Sequence, residues 1–439
     1  MRLLAMATAA MALLAQSLAA PTARSLQRRA QVVHPGDAHD IIITDKNTVN
    51  ATQKANGTMV PNIAPDGVIL PLSFTNNFAG SVNAYVTGLD ANNKLVLLQP
   101  NGQFYYPPRP SGGVPQLITA NVAIPIGGRG NNAQISIPGY ISAARIWFAV
   151  GNLKFYTVLD GNGNPSLVEP SSANPNDPNA GVNWGFVELT WNAAGVFANI
   201  SYVDFVGLIL SMSLAASGQT QYAGGLNSNA VNLICAALSR QASQDGQPWG
   251  DLCMADGSGN NLRVIAPIDY MSTNPGAWNG YYDNYINQVW STYTNTPLII
   301  DTQAGAGKVS CQVSGGVLYC NGDNRGYNKP SVSDIWGCNS GPFGIQGSDN
   351  DVHRAVVPRL CAAFVRTTLL LKGGNVQPSL PSTSYYTTGP TMWYSAFVHQ
   401  YETSGIGYAF SYDDVNPNGE NQSGAVSSAV PQQLSITVG

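Results

Sequence analysis

Seven short segments between residues 68 and 210 alternate apolar and polar residues, and clusters of Gly, Asn and Pro separate them. They are VILPLSFTNN (68–77), SVNAYVTGL (81–89), KLVLLQP (94–100), ARIWFAVGN (144–152), KFYTVLD (154–160), GFVELTWN (185–192) and SYVDFVGLIL (201–210). Side chains of a β-strand point alternately to its two faces, so a period of two predicts half-buried strands. Short strands at this spacing are typical of an antiparallel sandwich or barrel. The first half of the chain is therefore predicted to be β.

The helical patterns fall in a different part of the chain. They cover residues 228–240, about 279–294 and 349–371, and Pro358 is expected to kink or start the last one. Strand character resumes from about Thr391. We therefore predict a mainly β fold with an α+β insertion. The predicted boundaries are a β domain of residues 38–228 and 376–439, and an inserted mixed α/β domain of residues 229–375.

All six cysteines lie in the predicted insertion: Cys235, Cys253, Cys311, Cys320, Cys338 and Cys361. An even number in a secreted chain argues for three disulfides. The Gly315-Gly316 turn sets Ser314 opposite Val317 and therefore Cys311 opposite Cys320, which predicts one disulfide. The other four cysteines leave three pairings open. No CxxC or CxxH spacing occurs, so we expect no metal and no other cofactor.

The chain begins like a secreted protein. Residues 1–19 have a basic start, an apolar run and a small-x-small site, which is typical of a signal peptide. Residues 20–29 end in Arg28-Arg29 and are expected to form a propeptide. No later segment is apolar enough to span a membrane, and no lipid-anchor signal ends the chain. We expect an extracellular monomer, with glycosylation acceptors at Asn50, Asn56, Asn199 and Asn421.

Charge is scarce. Only 10% of the residues are charged, and the formal net charge is -4. Such a chain lacks the field to bind nucleic acid or an anionic membrane surface. A neutral, hydroxyl-rich polysaccharide is the partner that this composition favours.

Two carboxylates interrupt otherwise apolar predicted strands. Glu188 shares a strand face with Phe186, Thr190 and Asn192, and this face is predicted to be a sugar-binding floor. Asp204 lies sixteen residues later, far enough for a second strand to bring it beside Glu188. Burying a charge is unfavourable unless it is paired or used, so both positions are candidates for function.

Glycoside hydrolysis requires such a pair, in which one carboxyl protonates the leaving oxygen and the other activates water or attacks. The alternative is that each acid forms an ion pair with a lysine or arginine. Asp413 and Asp414 either line the same cleft or lie in a solvated turn. Six aromatic residues are candidates to stack on sugar rings or to belong to the core: Tyr105, Tyr106, Trp184, Phe197, Tyr202 and Trp393.

Three motifs, WGFVELTW, NISYVDFVGL and YAFSYDDVNP, resemble glycoside hydrolase family 64, the laminaripentaose-producing type of endo-β-1,3-glucanase. The resemblance runs from about residue 38 and implies a thaumatin-like β domain, a mixed α/β domain and a glucan-binding groove between them. It also implies an inverting mechanism with Glu188 as general acid and Asp204 as general base. Thr190 and Asn192 match positions that contact the sugar, and Phe197 lies near the position of a stacking tryptophan. Inversion predicts carboxyl groups roughly 6.5–9.5 Å apart.

These observations predict a secreted, fungal-type endo-β-1,3-glucanase that cleaves laminarin, curdlan or cell-wall glucan. Its substrate contacts are predicted to be Thr190, Asn192, Phe197, Tyr202 and Trp184. The alternative is a non-catalytic thaumatin-like protein that binds β-glucan or acts against fungi. Such a binder would have no use for the carboxylate pair.

Overall fold

The computed structural model describes residues 30–44, 46–49 and 68–439. The signal-peptide and propeptide predictions lie outside these residues, as do Asn50 and Asn56. In chain order the strands are β1 Gln31–Val32, β2 Thr48–Val49, β3 Leu70–Asn76, β4 Val82–Asp90, β5 Leu95–Leu98, β6 Phe104–Tyr105, β7 Gln116–Leu117, β8 Ile124–Gly127, β9 Asn132–Ile137, β10 Ile141–Val150, β11 Tyr156–Leu159, β12 Pro165–Val168, β13 Asn183–Asn192, β14 Gly195–Ile200, β15 Phe205–Val206, β16 Leu210–Ala216, β17 Gln219–Ala223, β18 Cys253–Ala255, β19 Asn261–Ile265, β20 Leu298–Asp301, β21 Lys308–Ser314, β22 Val317–Cys320, β23 Val376–Gln377, β24 Val426–Ser428 and β25 Pro431–Val438.

The helices are concentrated between residues 230 and 400. They are α1 Ala230–Asp245, α2 Pro267–Thr273, α3 Asp283–Asn295, α4 Val332–Gly337, α5 Asp351–Val365 and α6 Trp393–Gln400, with short 3-10 turns at Trp249–Leu252, Gly341–Phe343 and Ser382–Ser384. In the part of the chain that the structure describes, no helix combines the length and the apolar character that crossing a bilayer requires.

Two large sheets pack face to face. The first has the order β24-β14-β13-β10-β4-β5-β6, with β8 also paired to β4. The second has the order β17-β16-β25-β3-β9. Phe74 of β3 meets Phe148 of β10 across the interface, ring edge to ring face, with 5.2 Å between centroids. The mainly β prediction is confirmed, because alternate residues of these strands fill the space between the sheets. The sheets are not wholly antiparallel as predicted, since β25 and β3 pair in parallel.

The later part of the chain forms a mixed α/β region. The sheet β22-β21-β20-β23 packs against α3 and α5. A further sheet has the order β1-β18-β19-β15. This sheet joins β18 and β19 of the predicted insertion to β1 and β15, which lie outside it in the sequence. The predicted boundary at residue 228 is therefore bridged by backbone hydrogen bonds.

The three predicted helices are present as α1, α3 and α5, with shifted bounds. α5 contains Pro358 in its interior and begins after Asn350, whose side chain accepts a hydrogen bond from the His353 backbone N–H at 2.9 Å. One prediction is wrong. The chain after Thr391 enters helix α6 and turns, and regular strands return only at β24. α6 packs on α1, so tertiary contacts outweigh the β-branched and aromatic residues that favoured a strand there.

The disulfide prediction is confirmed. Cys311 and Cys320 are direct partners of β21 and β22, and they are bonded. Gly315 and Gly316 both have positive φ, which the two-residue turn between these strands requires. The sequence left the remaining four cysteines open, and the structure pairs them as Cys235–Cys253 and Cys338–Cys361.

Candidate active site

Glu188 lies on an open half of a strand face. From Val187 to Asn192, β13 alternates buried and half-buried residues, so Glu188, Thr190 and Asn192 share the outward face as predicted. Phe197 of β14 lies directly opposite Thr190 and is 46% exposed. This half of the face is therefore a shallow polar floor with one exposed aromatic ring.

The other half of the same face is covered, which corrects three predictions. Trp184 and Phe186 are 2% and 3% exposed, and the Trp184 ring packs on Phe205 of β15 at 4.3 Å. The side chain of Arg263 lies over the Trp184 ring. Tyr202 is also buried, at 5% exposure. Trp184, Phe186 and Tyr202 thus cannot stack on a sugar, because all three side chains are buried.

Asp204 lies in a bend and not inside a strand, which corrects the strand predicted over residues 201–210. The bend falls between a backbone bridge at Ser201 and the short strand β15. The Ala266 backbone N–H donates to the Asp204 carbonyl at 2.7 Å. The bend is therefore held by a backbone hydrogen bond from the residue that follows β19, while the Asp204 carboxylate lies on the side of the cavity that Glu188 also lines.

The two carboxylates line one cavity of about 300 Å³. Its wall is formed by Arg145, Glu188, Phe197, Asn199, Ser201, Val203, Asp204, Tyr408 and Ser411. The side chains of Glu188 and Asp204 are 37% and 23% exposed, so both are accessible to a ligand. Both acids thus line one cavity as expected, but Asp204 reaches it from a bend and not, as predicted, from a strand paired with that of Glu188.

Arg145 of β10 contacts both acids with one nitrogen. Its Nη2 donates to Glu188 Oε1 at 3.2 Å and lies 3.6 Å from Asp204 Oδ2. These two contacts limit the separation of the two oxygens to about 7 Å, a spacing on the scale at which carboxyl pairs cleave glycosides. The ion pairing weighed as an alternative to catalysis is therefore present, but it holds the two acids together in an open cavity.

Further charges surround this pair. Arg145 Nη1 donates to Oε2 of the buried Glu169 at 2.7 Å. Lys46 lies 3.9 Å from Asp204 and 2.5 Å from Asp269. Among the described residues, the site therefore holds four carboxylates and two cations, and this set is net negative when all of them are ionised.

Burial and the neighbouring charges shift the pKa values of the buried groups in this site. Burial raises the pKa of Glu169 to about 7, and the negative charges of Glu188 and Asp204 add to the rise while Arg145 opposes it. Burial likewise raises the pKa of Asp269 to about 7, with Asp204 adding to the rise and Lys46 opposing it. Burial would lower the pKa of Arg145, but the carboxylates outweigh it and raise that pKa. Arg145 therefore stays charged while Glu169 and Asp269 can take up protons near neutral pH.

A buried ion network holds the loop that forms one wall of the cavity. Tyr408 and Ser411 line the cavity, and Asp413 just beyond them is fully buried. Asp413 accepts from Arg366 at 2.9 Å and lies 2.9 Å from His399 Nε2. Asp413 is thus an anchor of this loop and not part of a solvated turn, whereas its neighbour Asp414 is exposed.

Sequence reasoning missed Arg145, Glu169, Lys46 and Asp269. Arg145 could have been found, because it is a charge near the start of the predicted strand ARIWFAVGN, and a charge within a strand is the signal that singled out Glu188. The other three lie in short connecting segments or a helix start, where a charged residue is unremarkable. Only the fold brings them together.

The two predicted glycosylation acceptors within the described residues, Asn199 and Asn421, differ in their exposure. Asn199 is directly opposite Glu188 on β14, is 7% exposed and lines the cavity. A glycan at Asn199 would occupy the cavity beside Glu188, so use of this acceptor conflicts with the candidate site. Asn421 is exposed and stays a predicted acceptor.

A carboxylate pair in an open cavity on a β-sheet is the arrangement of a glycoside hydrolase site. A family model described as beta-1,3-glucanase, that of glycoside hydrolase family 64, matches residues 68–438. The chain therefore belongs to glycoside hydrolase family 64, and the resemblance carried by the three motifs is confirmed.

Solved structures and curated relatives agree with this assignment. The crystal structure of a laminaripentaose-producing beta-1,3-glucanase in complex with laminaritetraose has a TM-score of 0.73 and 28% identity, over 85% of this chain and 99% of that one. A beta-1,3-glucanase domain from Clostridium beijerinckii shares the fold, with a TM-score of 0.64 and 22% identity over 84% of this chain and 98% of that one. Proteins named glucan endo-1,3-beta-glucosidase from Cellulosimicrobium cellulans and Arthrobacter sp. (strain YCWD3) are each 27% identical over 380 residues, 83% of this chain. This chain spans 65% of the length of these bacterial relatives.

Proposed function

We propose that this protein is an endo-β-1,3-glucanase that hydrolyses β-1,3-glucan with inversion at the anomeric carbon. The observation that carries the proposal is the contact of one Arg145 nitrogen with Glu188 and Asp204 in a cavity open to solvent. Membership of family 64 and the likeness to a glucanase crystallised with laminaritetraose support the choice of substrate.

In this mechanism Glu188 is the general acid and Asp204 the general base. Glu188 donates its proton to the glycosidic oxygen as the bond to the anomeric carbon breaks. Asp204 takes a proton from a water molecule that attacks the same carbon from the opposite face. The new hydroxyl is therefore α although the bond cleaved was β. The floor formed by Thr190, Asn192 and Phe197 continues along the sheet from Glu188 and offers a path for further sugar units.

The test is sugar release from laminarin and curdlan by the purified protein, with the anomers followed by proton NMR during the first minutes. We expect oligosaccharides of several lengths, as an endo-acting enzyme gives, and the α-anomer is expected first, before mutarotation. The variant carrying both Glu188→Gln and Asp204→Asn is the matched control for contaminating glucanases.

Two outcomes contradict the proposal in different ways. Initial release of the β-anomer overturns inversion and makes one carboxylate a nucleophile. Binding of laminarin without any release above the control overturns the enzyme assignment and favours the non-catalytic binder.

We also propose that the protein is secreted. The signal-peptide pattern of residues 1–19 and three disulfides support an oxidising, extracytoplasmic location. A thaumatin-like β domain with a groove beside it, a monomeric state and a fungal source remain predictions.

Phe197 is expected to provide a sugar-stacking surface. Replacing Phe197 by alanine is expected to lower kcat/KM on laminarin about fivefold, since an aromatic contact contributes on the order of 1 kcal/mol. Phe197→Trp is expected to retain the wild-type value. Tyr319→Ala is the matched control, because Tyr319 is 54% exposed but lies outside the cavity wall. Equal kcat/KM values for Phe197→Ala and Tyr319→Ala would show that Phe197 does not stack on the glucan.

A further inference from the structure

Among the described residues, the Glu169 carboxylate has one hydrogen-bond partner, and it is almost wholly shielded from solvent. Its side chain is 1% exposed, and its Oε2 accepts from Arg145 Nη1 at 2.7 Å. Its other oxygen, Oε1, is buried without a hydrogen-bond partner among the described residues. A carboxylate kept only to tie the fold together is expected to have both oxygens bonded. The only hydrogen bond that the Glu169 carboxylate makes within the described residues is therefore the one to Arg145.

Arg145 presents a difficulty for the proposed chemistry. Its guanidinium donates to Glu188 at 3.2 Å, and a positive charge at that distance favours the ionised form of a carboxyl group. A general acid must instead hold its proton until the glycosidic bond breaks. An uncompensated arginine beside Glu188 would therefore work against proton donation.

We propose that Glu169 is a positioning residue that offsets the charge of Arg145. Arg145 can then hold Glu188 and Asp204 at their separation without favouring the loss of the proton from Glu188. This inference rests on the proposed function and deepens it by assigning a third carboxylate to the same site. Neither of the motifs around Glu188 and Asp204 contains Glu169 or Arg145.

The charges around this pair determine when Glu169 can act. Glu188 and Asp204 share Arg145 with it, Lys46 and Asp269 lie beyond Asp204, and Tyr408 faces Glu188 across the cavity. Burial, together with Glu188 and Asp204, raises the pKa of Glu169 to about 7. When Glu188 holds its proton, its repulsion of Glu169 disappears and the ion pair with Arg145 favours the ionised form of Glu169. Glu169 is therefore best able to offset the charge of Arg145 in the state in which Glu188 carries the proton.

The first test is the pH profile of kcat/KM on laminarin, whose alkaline limb reports loss of the proton from the general acid. Replacing Glu169 by glutamine leaves the Arg145 charge unbalanced, so we expect this limb to move to lower pH by about one unit. The acidic limb and KM are expected to change less. Glu169→Asp keeps the charge and is expected to restore most of the shift.

A double variant separates charge balance from a purely structural role. Glu169→Gln combined with Arg145→Met removes both charges, and we expect its alkaline limb to lie closer to that of the wild type than the limb of Glu169→Gln. A structural role predicts lower kcat or stability with the limb unmoved, and that result would overturn the inference. Identical limbs for the single and double variants would also overturn it.

A second readout does not depend on hydrolysis. The chain contains four glutamates, Glu169, Glu188, Glu402 and Glu420, so selective ¹³C labelling of glutamate carboxyls gives four NMR signals. Loss of one signal in Glu188→Gln assigns Glu188. We expect the titration midpoint of that signal to fall in Glu169→Gln, and an unchanged midpoint contradicts the inference. A wild type that releases no sugar refutes the proposed function, while this titration still decides the role of Glu169.

Discussion

Replacing Glu188 by glutamine is expected to lower the turnover of laminarin roughly 10³-fold, because a positioned general acid contributes on the order of 10²–10⁴ to the rate. Glutamine keeps the shape of the side chain and a contact with Arg145, but it has no proton to donate. The measurement is kcat from the release of reducing ends, with the free energy of unfolding determined for the same preparation. Asp204→Asn is expected to cause a loss of similar size, since the attacking water then has no general base to take its proton.

The roles of the two acids can be separated with an activated substrate. A laminari-oligosaccharide with a dinitrophenolate leaving group needs no protonation when its bond breaks. We therefore expect Glu188→Gln to retain much of its activity on this substrate and Asp204→Asn to remain inactive on it. The reverse pattern would exchange the two assignments. Asp283→Asn, at an exposed position at the start of α3, is the matched control and is expected to behave as the wild type on both substrates.

Replacing Asp413 by asparagine is expected to lower the free energy of unfolding by about 3–5 kcal/mol, the usual effect of breaking a buried ion pair from one side. Asp413 is fully buried, and its carboxylate lies 2.9 Å from both Arg366 and His399. Asparagine leaves these two cations without their shared counter-charge. Urea unfolding with the disulfides intact measures the change, and Asp283→Asn is expected to change the free energy by less than about 1 kcal/mol.

The same network predicts how stability depends on pH. Burial would lower the pKa of His399, but Asp413 and Glu402 outweigh it and raise the pKa to about 10. A group with a raised pKa in the folded state contributes fully below its unfolded value of about 6.5, and this contribution is lost as the pH rises through about 10. Wild-type stability is therefore expected to fall between these values, and the fall is expected to be smaller in Asp413→Asn. Equal slopes in the two proteins would show that His399 is not held by Asp413.

Asp413→Asn is expected to lose activity as well as stability. The loop anchored by Asp413 carries Tyr408 and Ser411 into the cavity wall, and the Tyr202 backbone N–H donates to the Tyr408 carbonyl at 2.8 Å. Loosening the anchor therefore changes the wall opposite Glu188. A fully active but destabilised Asp413→Asn variant would confine the role of Asp413 to stability.

The sequence by itself determined the strand faces, the β class and one disulfide. A period of two places Glu188, Thr190 and Asn192 on one face whatever the fold, because alternate side chains of a strand always diverge. The two-residue Gly-Gly turn similarly determines that Cys311 meets Cys320. These features depend on neighbours a few residues apart, and the structure confirms them.

Only the tertiary structure decided which part of each face is open and what surrounds the acids. Trp184 shares its face with Glu188, yet β15 and β19 cover Trp184 and leave Glu188 accessible. Arg145 meets Glu169 and Asp204 through strand pairings and a bend that no local pattern encodes. Alternation specifies the direction of a side chain, whereas burial and charge balance depend on which distant segment packs against it. The carboxylate pair could therefore be predicted from the sequence, and Arg145 was detectable as a charge in a predicted strand, but its contact with both acids and the buried Glu169 behind it could not be predicted.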